Sequence, residues 1–456
     1  MDKLRLCLNS QTPLVRFKVA YNALLEKYGD LPDPLPLEML SEGEDYEFTP
    51  GGVPIMLYPL LQRLMAEGKT VNPHWIALNP AGPERVVSNG ITMHSIQLGH
   101  HELASYTHCK EMIWQETHNL NITPLDMREF AAFAKYNWLC TEKMLEILPE
   151  VDAFYIHDFQ QLQVGAMIGL VAPAVFRWHI PLQLDKVSRH VGNFILRGME
   201  GFDAVVVSCK RDLEGLIRSG YRGKAHQIYP FVDQGKWTSP EDEEIEGFRR
   251  RFSLGERDRL IAVVARMDGM KGQDTAIEAL ARVADGFPDA RLVLVGNGSF
   301  SGSKRGGLAH PKSEVWRSRL EAVAKELGVR DRITFTGYLS QGELRSLYHL
   351  SEIAVLPSIR EGFGLTVVEA WLYEKPVVVS TGAGSSELVI DGVNGFTFAP
   401  RNSGELADKV QHILKDPARG REMGMKGYDT SRRCWIERGA EAVFRVLKET
   451  AEEFRR

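Results

Sequence analysis

Short runs of apolar, mostly β-branched residues alternate along this chain with longer stretches whose apolar positions recur at helical spacing. In the second half, 260–265, 291–295, 332–335, 352–356 and 376–380 read as strands, and 274–284 and 314–327 read as the helices between them. Continuously apolar strands separated by helices are the pattern of a parallel sheet covered on both faces. The first half repeats it less regularly: 53–67 reads as an amphipathic helix, and 75–78, 153–156, 174–178 and 204–207 read as strands. The expectation is α/β, with doubly wound domains at 1–230 and 231–430. Their junction falls near Tyr229-Pro230-Phe231-Val232-Asp233, and 431–456 forms a C-terminal segment with a helix over 440–454. Ligands of such sheets collect at the carboxyl ends of the strands.

Length agrees with this division, because 456 residues exceed what one core usually supports and a 44% hydrophobic content is ample for two. A net charge of -5 leaves no electrostatic footprint for nucleic acid or an anionic membrane. Residues 1–17 lack the apolar core of a signal peptide, and no apolar run approaches the length of a bilayer span. The five cysteines (Cys7, Cys109, Cys140, Cys209, Cys434) are scattered, odd in number and without a Cys-x-x-Cys pair. They argue for a reducing cytoplasm and against a zinc site or disulfide framework. The acidic run 241–246 reads as a solvated surface.

The richest stretch is Pro357-Ser358-Ile359-Arg360-Glu361-Gly362-Phe363-Gly364-Leu365-Thr366 and the residues after it, which follow the apolar run 353–356. With a strand over 353–356 and a helix over 366–373, the N–H groups of Gly362, Phe363, Gly364 and Leu365 fall at a helix start, where the dipole favours an anion. Glycines lack a Cβ, so a bulky ligand can approach the backbone closely. Taken alone, this stretch is equally a plain helix start with an exposed glutamate. Glu361 and Glu369, however, are separated by seven residues, and Lys375-Pro376-Val377-Val378-Val379-Ser380, Glu387-Leu388-Val389 and Asp391-Gly392-Val393-Asn394-Gly395-Phe396 follow in order. In these features the chain resembles the retaining glycosyltransferases of family 4.

That resemblance implies a GT-B fold: two Rossmann-like domains facing across a cleft, with a C-terminal helix that crosses back to the N-terminal domain and Trp435 near the crossover. It implies as co-substrate a nucleotide diphosphate sugar, a UDP-, ADP- or GDP-hexose. Breaking the anomeric C–O bond builds negative charge on the departing diphosphate, which the protein must stabilise. Arg266 and Lys271, just beyond the strand 260–265, match the family's diphosphate-binding cations; an arginine grips two oxygens in a fork, and a lysine acts as a mobile point charge. The plainer reading of this pair is two surface cations at a strand end. Gly51 and Gly52, before the helix at 53–67, resemble the family's second diphosphate loop, with Pro54 suited to a first helical turn. Glu369 is assigned to the ribose hydroxyls. Glu361 is assigned to the transferred sugar, and Gly362 to Thr366 complete the donor set. The two glutamates also admit a glycosidase-like acid and nucleophile pair. The family's front-face mechanism, in which the departing phosphate takes the acceptor's proton, is preferred, and retention of configuration is carried over with it.

In the N-terminal half, His157-Asp158 and His179 sit at strand ends, where site residues collect, although a lone histidine is more often structural. The resemblance puts His157 in contact with the sugar or phosphate, and Asp158, His179 and His118 on the acceptor side. No Asp-x-Asp occurs in the chain. No metal ligands are therefore expected and no cofactor is required, while Mg²⁺ carried in by the nucleotide stays compatible. Glu47-Phe48-Thr49-Pro50-Gly51-Gly52-Val53, Thr117-His118-Asn119 and Phe176-Arg177-Trp178-His179-Ile180 resemble the branch that joins a nucleotide-linked glucose to free glucose, giving trehalose. Gln160-Gln161-Leu162 and Pro181 depart from it near the acceptor pocket. This leaves a sugar phosphate, glycerate or glycan open as acceptor. A retaining disaccharide phosphorylase and a non-catalytic sugar-nucleotide sensor on the same fold also stay compatible with the chain. The glycine- and serine-rich stretch 297–312 reads as a lid or a surface loop, and the nucleobase pocket is expected around 296–298 and 337–339. Partners are limited to the small-molecule donor and acceptor, with a homodimer compatible and neither nucleic acid nor integral membrane association expected.

Overall fold

The computed structural model describes residues 3–49, 52–118, 120, 124–297 and 309–456. They divide into two units, Met1–Ile228 with Gly439–Arg456, and Tyr229–Arg438.

The strands of the first unit are β1 (Leu6–Ser10), β2 (Val15–Phe17), β3 (Leu35–Pro36), β4 (Tyr46–Phe48), β5 (His74–Leu78), β6 (Arg85–Ser88), β7 (Ile91–Ile96), β8 (Ala153–His157), β9 (Ala174–Arg177), β10 (Ala204–Val207) and β11 (Lys224–Gln227). Nine of them form one sheet in the order β11-β10-β9-β8-β1-β5-β7-β6-β3. Only β6 and β7 pair antiparallel within it, while β2 and β4 form a separate antiparallel pair. The central strand, β1, is buried at every position, yet the hydrophobic pattern does not single it out. Its polar Asn9 hides the pattern; inside the sheet the Asn9 amide donates to the Ile76 carbonyl at 3.1 Å. Helices His100–Thr117 and Met127–Glu146 pack together over one face, where Tyr106, Phe133, Tyr136, Phe154, Phe176 and Trp178 form the core. Those helices also escape the pattern, because their buried stripes include Glu116, Thr117, Asn137 and Thr141.

The second unit holds β12 (Arg259–Val264), β13 (Ala290–Val295), β14 (Ile333–Gly337), β15 (Ser351–Leu356), β16 (Val377–Ser380) and β17 (Gly395–Phe398). They form a wholly parallel sheet in the order β14-β13-β12-β15-β16-β17. The expected strands are present with ends displaced by a residue or two, and β17 is additional. The acidic run is more than a solvated surface. Glu241 and Glu244 form a capping box opening the helix Asp242–Phe252, whose first turn carries Asp242, Glu243 and Glu244 where the dipole favours negative charge.

The last helix, Ile436–Phe454, starts four residues before the expected 440. Val232 pairs with Trp435 just ahead of it, with Val232 N–H donating to the Cys434 carbonyl and Ile436 N–H donating to that of Val232, both at 2.9 Å. From Gly439 on the helix belongs to the first unit, where Glu441 meets Lys69 at 2.5 Å and Arg455 meets Asp152 at 2.8 Å. All five cysteines are buried and free. Among the described residues no helix is long and apolar enough to cross a membrane.

Candidate functional site

Going outward from β12 in the second unit's sheet, β13 and β14 lie on one side and β15, β16 and β17 on the other. The loops leaving the carboxyl ends of β12 and β15 therefore diverge at a topological switch point, where open α/β sheets bind ligands. The first loop carries Arg266 and Lys271; the second carries Glu361 and leads into the helix Thr366–Leu372. Ile359 N–H donates to the Met270 carbonyl at 2.8 Å, tying the loops together. Gly272 sits at φ +67°, and a Cβ there would lie 2.1 Å from the Pro357 carbonyl oxygen. The approach is open only to glycine.

Across this seam Lys271 Nζ donates to Glu361 Oε2, with side chains 11% and 23% exposed. Ser358 Oγ, fully buried, donates to the same oxygen at 3.4 Å. The partly buried Arg266 is placed through its carbonyl, which accepts from Gln273 Nε2 at 2.7 Å; Gln273 Oε1 in turn accepts from Trp316 Nε1 at 3.0 Å. Glu369 follows in the helix, one turn beyond Leu365, and its Oε2 accepts from the Tyr348 hydroxyl at 2.9 Å. Burial pushes the Glu369 carboxyl up to about 7, against the opposing pull of the Tyr348 hydrogen bond. Gly362 and Phe363 are buried, and the Phe363 carbonyl accepts from Ser385 N–H at 2.8 Å. Gly364 has φ +96°, Leu365 is the N-cap residue and Thr366 begins the helix. Arg266, Lys271, Glu361, Gly362 to Thr366 and Glu369 thus share one edge of one sheet.

In the first unit the corresponding switch point lies between β1 and β8. His157 ends β8 and His179 follows β9; their Nδ1 and Nε2 lie 3.0 Å apart. Burial pushes both imidazoles well below their usual range, and the Arg177 charge adds to the effect in each. The pair is neutral, one ring donating and the other accepting. His157 has no exposed surface, whereas His179 is partly exposed. His179 is thus the more exposed ring of the pair, and His157 stands behind it.

Asp158 adopts φ +70°, unusual for a residue with a side chain, and Oδ1 accepts from Phe159 N–H at 3.1 Å. Burial pushes its carboxyl up to about 7, with the N–H groups of Phe159 and His179 acting the other way. His118 closes the helix His100–Thr117 and is buried; its ring stacks on Trp114 at 4.1 Å and its Nδ1 lies 2.8 Å from the Trp114 carbonyl oxygen. Gly52 is the exposed N-cap of Val53–Ala66 at φ +71°. Gly51, Asn119 and most of the 297–312 stretch, including the Gly298 end of the expected nucleobase pocket, lie outside the described residues. Tyr348, Ser358 and Gln273 are site components that sequence reasoning missed. Tyr348 and Gln273 act through partners on other elements, which leaves no mark on spacing, and Ser358 acts on Glu361 within its own loop.

Residues 244–430 match the family model described as glycosyl transferases group 1. The chain is 26% identical over 391 residues to a trehalose synthase of Pyrococcus horikoshii, covering 85% of this chain and 84% of that protein. It is 29% identical over 219 residues to a D-inositol 3-phosphate glycosyltransferase of Mycolicibacterium smegmatis, covering 47% of this chain and 46% of the relative. Among solved structures, a sucrose-phosphate synthase from Thermosynechococcus elongatus superposes with a TM-score of 0.71 at 19% identity, covering 97% of this chain and 98% of that one.

Proposed function

Because this chain is a hexosyltransferase of the GT-B fold with a glycosyl transferases group 1 domain at 244–430, we propose that it moves a hexose, with retention, from a nucleoside diphosphate sugar to a small hydroxylated acceptor. Glucose is the proposed hexose and free glucose the first acceptor to test, which would make the product trehalose. The observation that carries this reading is the Lys271–Glu361 pair at the β12/β15 switch point, with Glu369 in the adjoining helix.

The chemistry follows from these groups. As the anomeric C–O bond breaks, charge accumulates on the diphosphate, and Arg266 and Lys271 neutralise it. An ammonium has three donors, so Lys271 can keep Glu361 while donating to a phosphate oxygen as a second partner. Glu361, positioned by Lys271 and Ser358, presents its remaining acceptor capacity to the sugar hydroxyls. Glu369 accepts from the ribose. The acceptor is assigned to His179 and Asp158 in the first unit, with His157 holding His179 through their shared hydrogen bond. The departing phosphate takes the acceptor hydroxyl's proton, so no protein nucleophile is required. No metal is assigned, since Arg266 and Lys271 carry charge of the sign a cation would bring, and Mg²⁺ arriving with the nucleotide is compatible with this. Five buried free thiols suit a reducing compartment such as the cytoplasm.

Similarity over 85% of this chain to a protein named trehalose synthase supports glucose as acceptor. The D-inositol 3-phosphate glycosyltransferase match favours a phosphorylated acceptor as the second reading. A thermal-shift screen against UDP, GDP, ADP and their glucose and mannose conjugates selects the donor. Product analysis with glucose, glucose 6-phosphate and inositol phosphate then selects the acceptor. Stabilisation by one diphosphate and a new non-reducing disaccharide is the expected result. A shift only with inorganic phosphate plus a disaccharide would replace this reading with a phosphorylase.

A further inference from the structure

Among the described residues the Glu369 carboxyl group has one hydrogen bond, from a hydroxyl that solvent does not reach. Tyr348 is fully buried in the helix Gln341–Leu350 and donates to Oε2. Oε1 has no partner among the described residues, and Glu369 is only partly buried. The Tyr348 ring cannot turn away. Tyr373 stacks on it at 6.1 Å and Trp237 packs against it at 6.0 Å. Tyr373 is itself anchored by donation to the Thr238 carbonyl at 2.8 Å.

Resting on the reading of Glu369 as the ribose acceptor, we propose that Tyr348 is its positioning residue, holding Oε2 so that Oε1 remains open to the ribose hydroxyls. A carboxylate can accept from both hydroxyls, whereas the protonated acid gives up an acceptor position to its own O–H. The arrangement therefore couples donor binding to proton loss. Burial raises Glu369 to about 7, and the Tyr348 hydrogen bond favours the ionised form. Facing Glu369 is Tyr348; behind it stands Tyr373, on which Arg345 and Glu244 act. On the neighbouring loops, Lys271 and Glu361 are paired with each other. Burial, followed by the Glu369 charge, pushes Tyr348 well above the usual phenol range, so it stays a donor throughout the working pH range.

The test is calorimetric titration of the full chain with UDP-, ADP- and GDP-glucose between about pH 5.5 and 9. Their diphosphate is a diester with no proton to lose in that range. Wild-type affinity is expected to rise through about pH 7. Tyr348→Phe keeps the ring stack and the melting temperature, loses affinity about ten-fold at pH 7, and shifts the midpoint about one unit alkaline. Replacing Tyr348 with 3-fluorotyrosine, a stronger donor of similar size, is expected to move the midpoint the other way, a readout that survives if the Phe variant folds poorly. Glu369→Gln should make affinity independent of pH.

The outcomes separate the two readings. A flat Glu369→Gln profile with neither Tyr348 substitution moving the midpoint overturns the role of Tyr348 alone. A Glu369→Gln variant that binds like wild type at every pH overturns the ribose assignment and this inference with it.

Discussion

Replacing Gly272 with Ala tests whether the β12 and β15 loops depend on backbone proximity. At φ +67° an L-residue costs about 1–2 kcal/mol in local sterics. The new methyl would sit 2.1 Å from the Pro357 carbonyl oxygen, where ordinary contact begins near 3.4 Å, so one loop must retreat by over 1 Å. Backbone cannot swing aside as a side chain can, and overpacking of this kind adds about 1–3 kcal/mol. Together these predict a loss of about 2–5 kcal/mol, a fall in melting temperature of roughly 4–20 °C for a domain of this size. Retreat also stretches the 2.8 Å bond from Ile359 N–H to the Met270 carbonyl and parts Lys271 from Glu361, so nucleoside diphosphate affinity should fall with stability. Differential scanning calorimetry and titration with the stabilising diphosphate measure the two effects. Gly247→Ala, in the helix Asp242–Phe252 with nothing within 4 Å of its would-be Cβ, is the control and should stabilise by up to about 1 kcal/mol. A Gly272→Ala protein that melts and binds like wild type would refute the close-approach argument.

Lys271→Ala should lower kcat/KM by about 10²–10³-fold, the scale for losing one charge-stabilising donor, yet shift the melting temperature by only a few degrees, since Glu361 retains partial solvent access. A collapsed melt with normal activity per folded molecule would make Lys271 structural instead. Asp158 titrates at about 7 when folded and near 4 when unfolded, so the native state binds its proton more tightly. Its contribution to stability is full below about pH 4 and diminishes as pH rises to about 7. Asp158→Asn should flatten the melting-temperature profile across that window and raise the melting temperature at pH 8; an unchanged profile would show that Asp158 is not held protonated.

Much of the second unit was legible because its strands are mostly apolar and long enough to stand out between helices. The 357–370 stretch likewise shows its loop, its glycines and both glutamates within one short window. The first unit was harder to read, since β1 owes its central place to sheet order and its Asn9 amide donates to a strand 67 residues away. The sequence by itself determined the type of the main elements of the second unit, the carboxyl-end location of the site loops and the inventory of charged groups. Tertiary structure alone decided the pairings: Lys271 with Glu361 across 90 residues, Tyr348 with Glu369 across 21, and His157 behind His179 across 22. Periodicity records which face of an element is buried, a local property of the chain. Hydrogen-bond partners, burial and the resulting proton affinities depend on which elements meet in space, and residue spacing does not encode that.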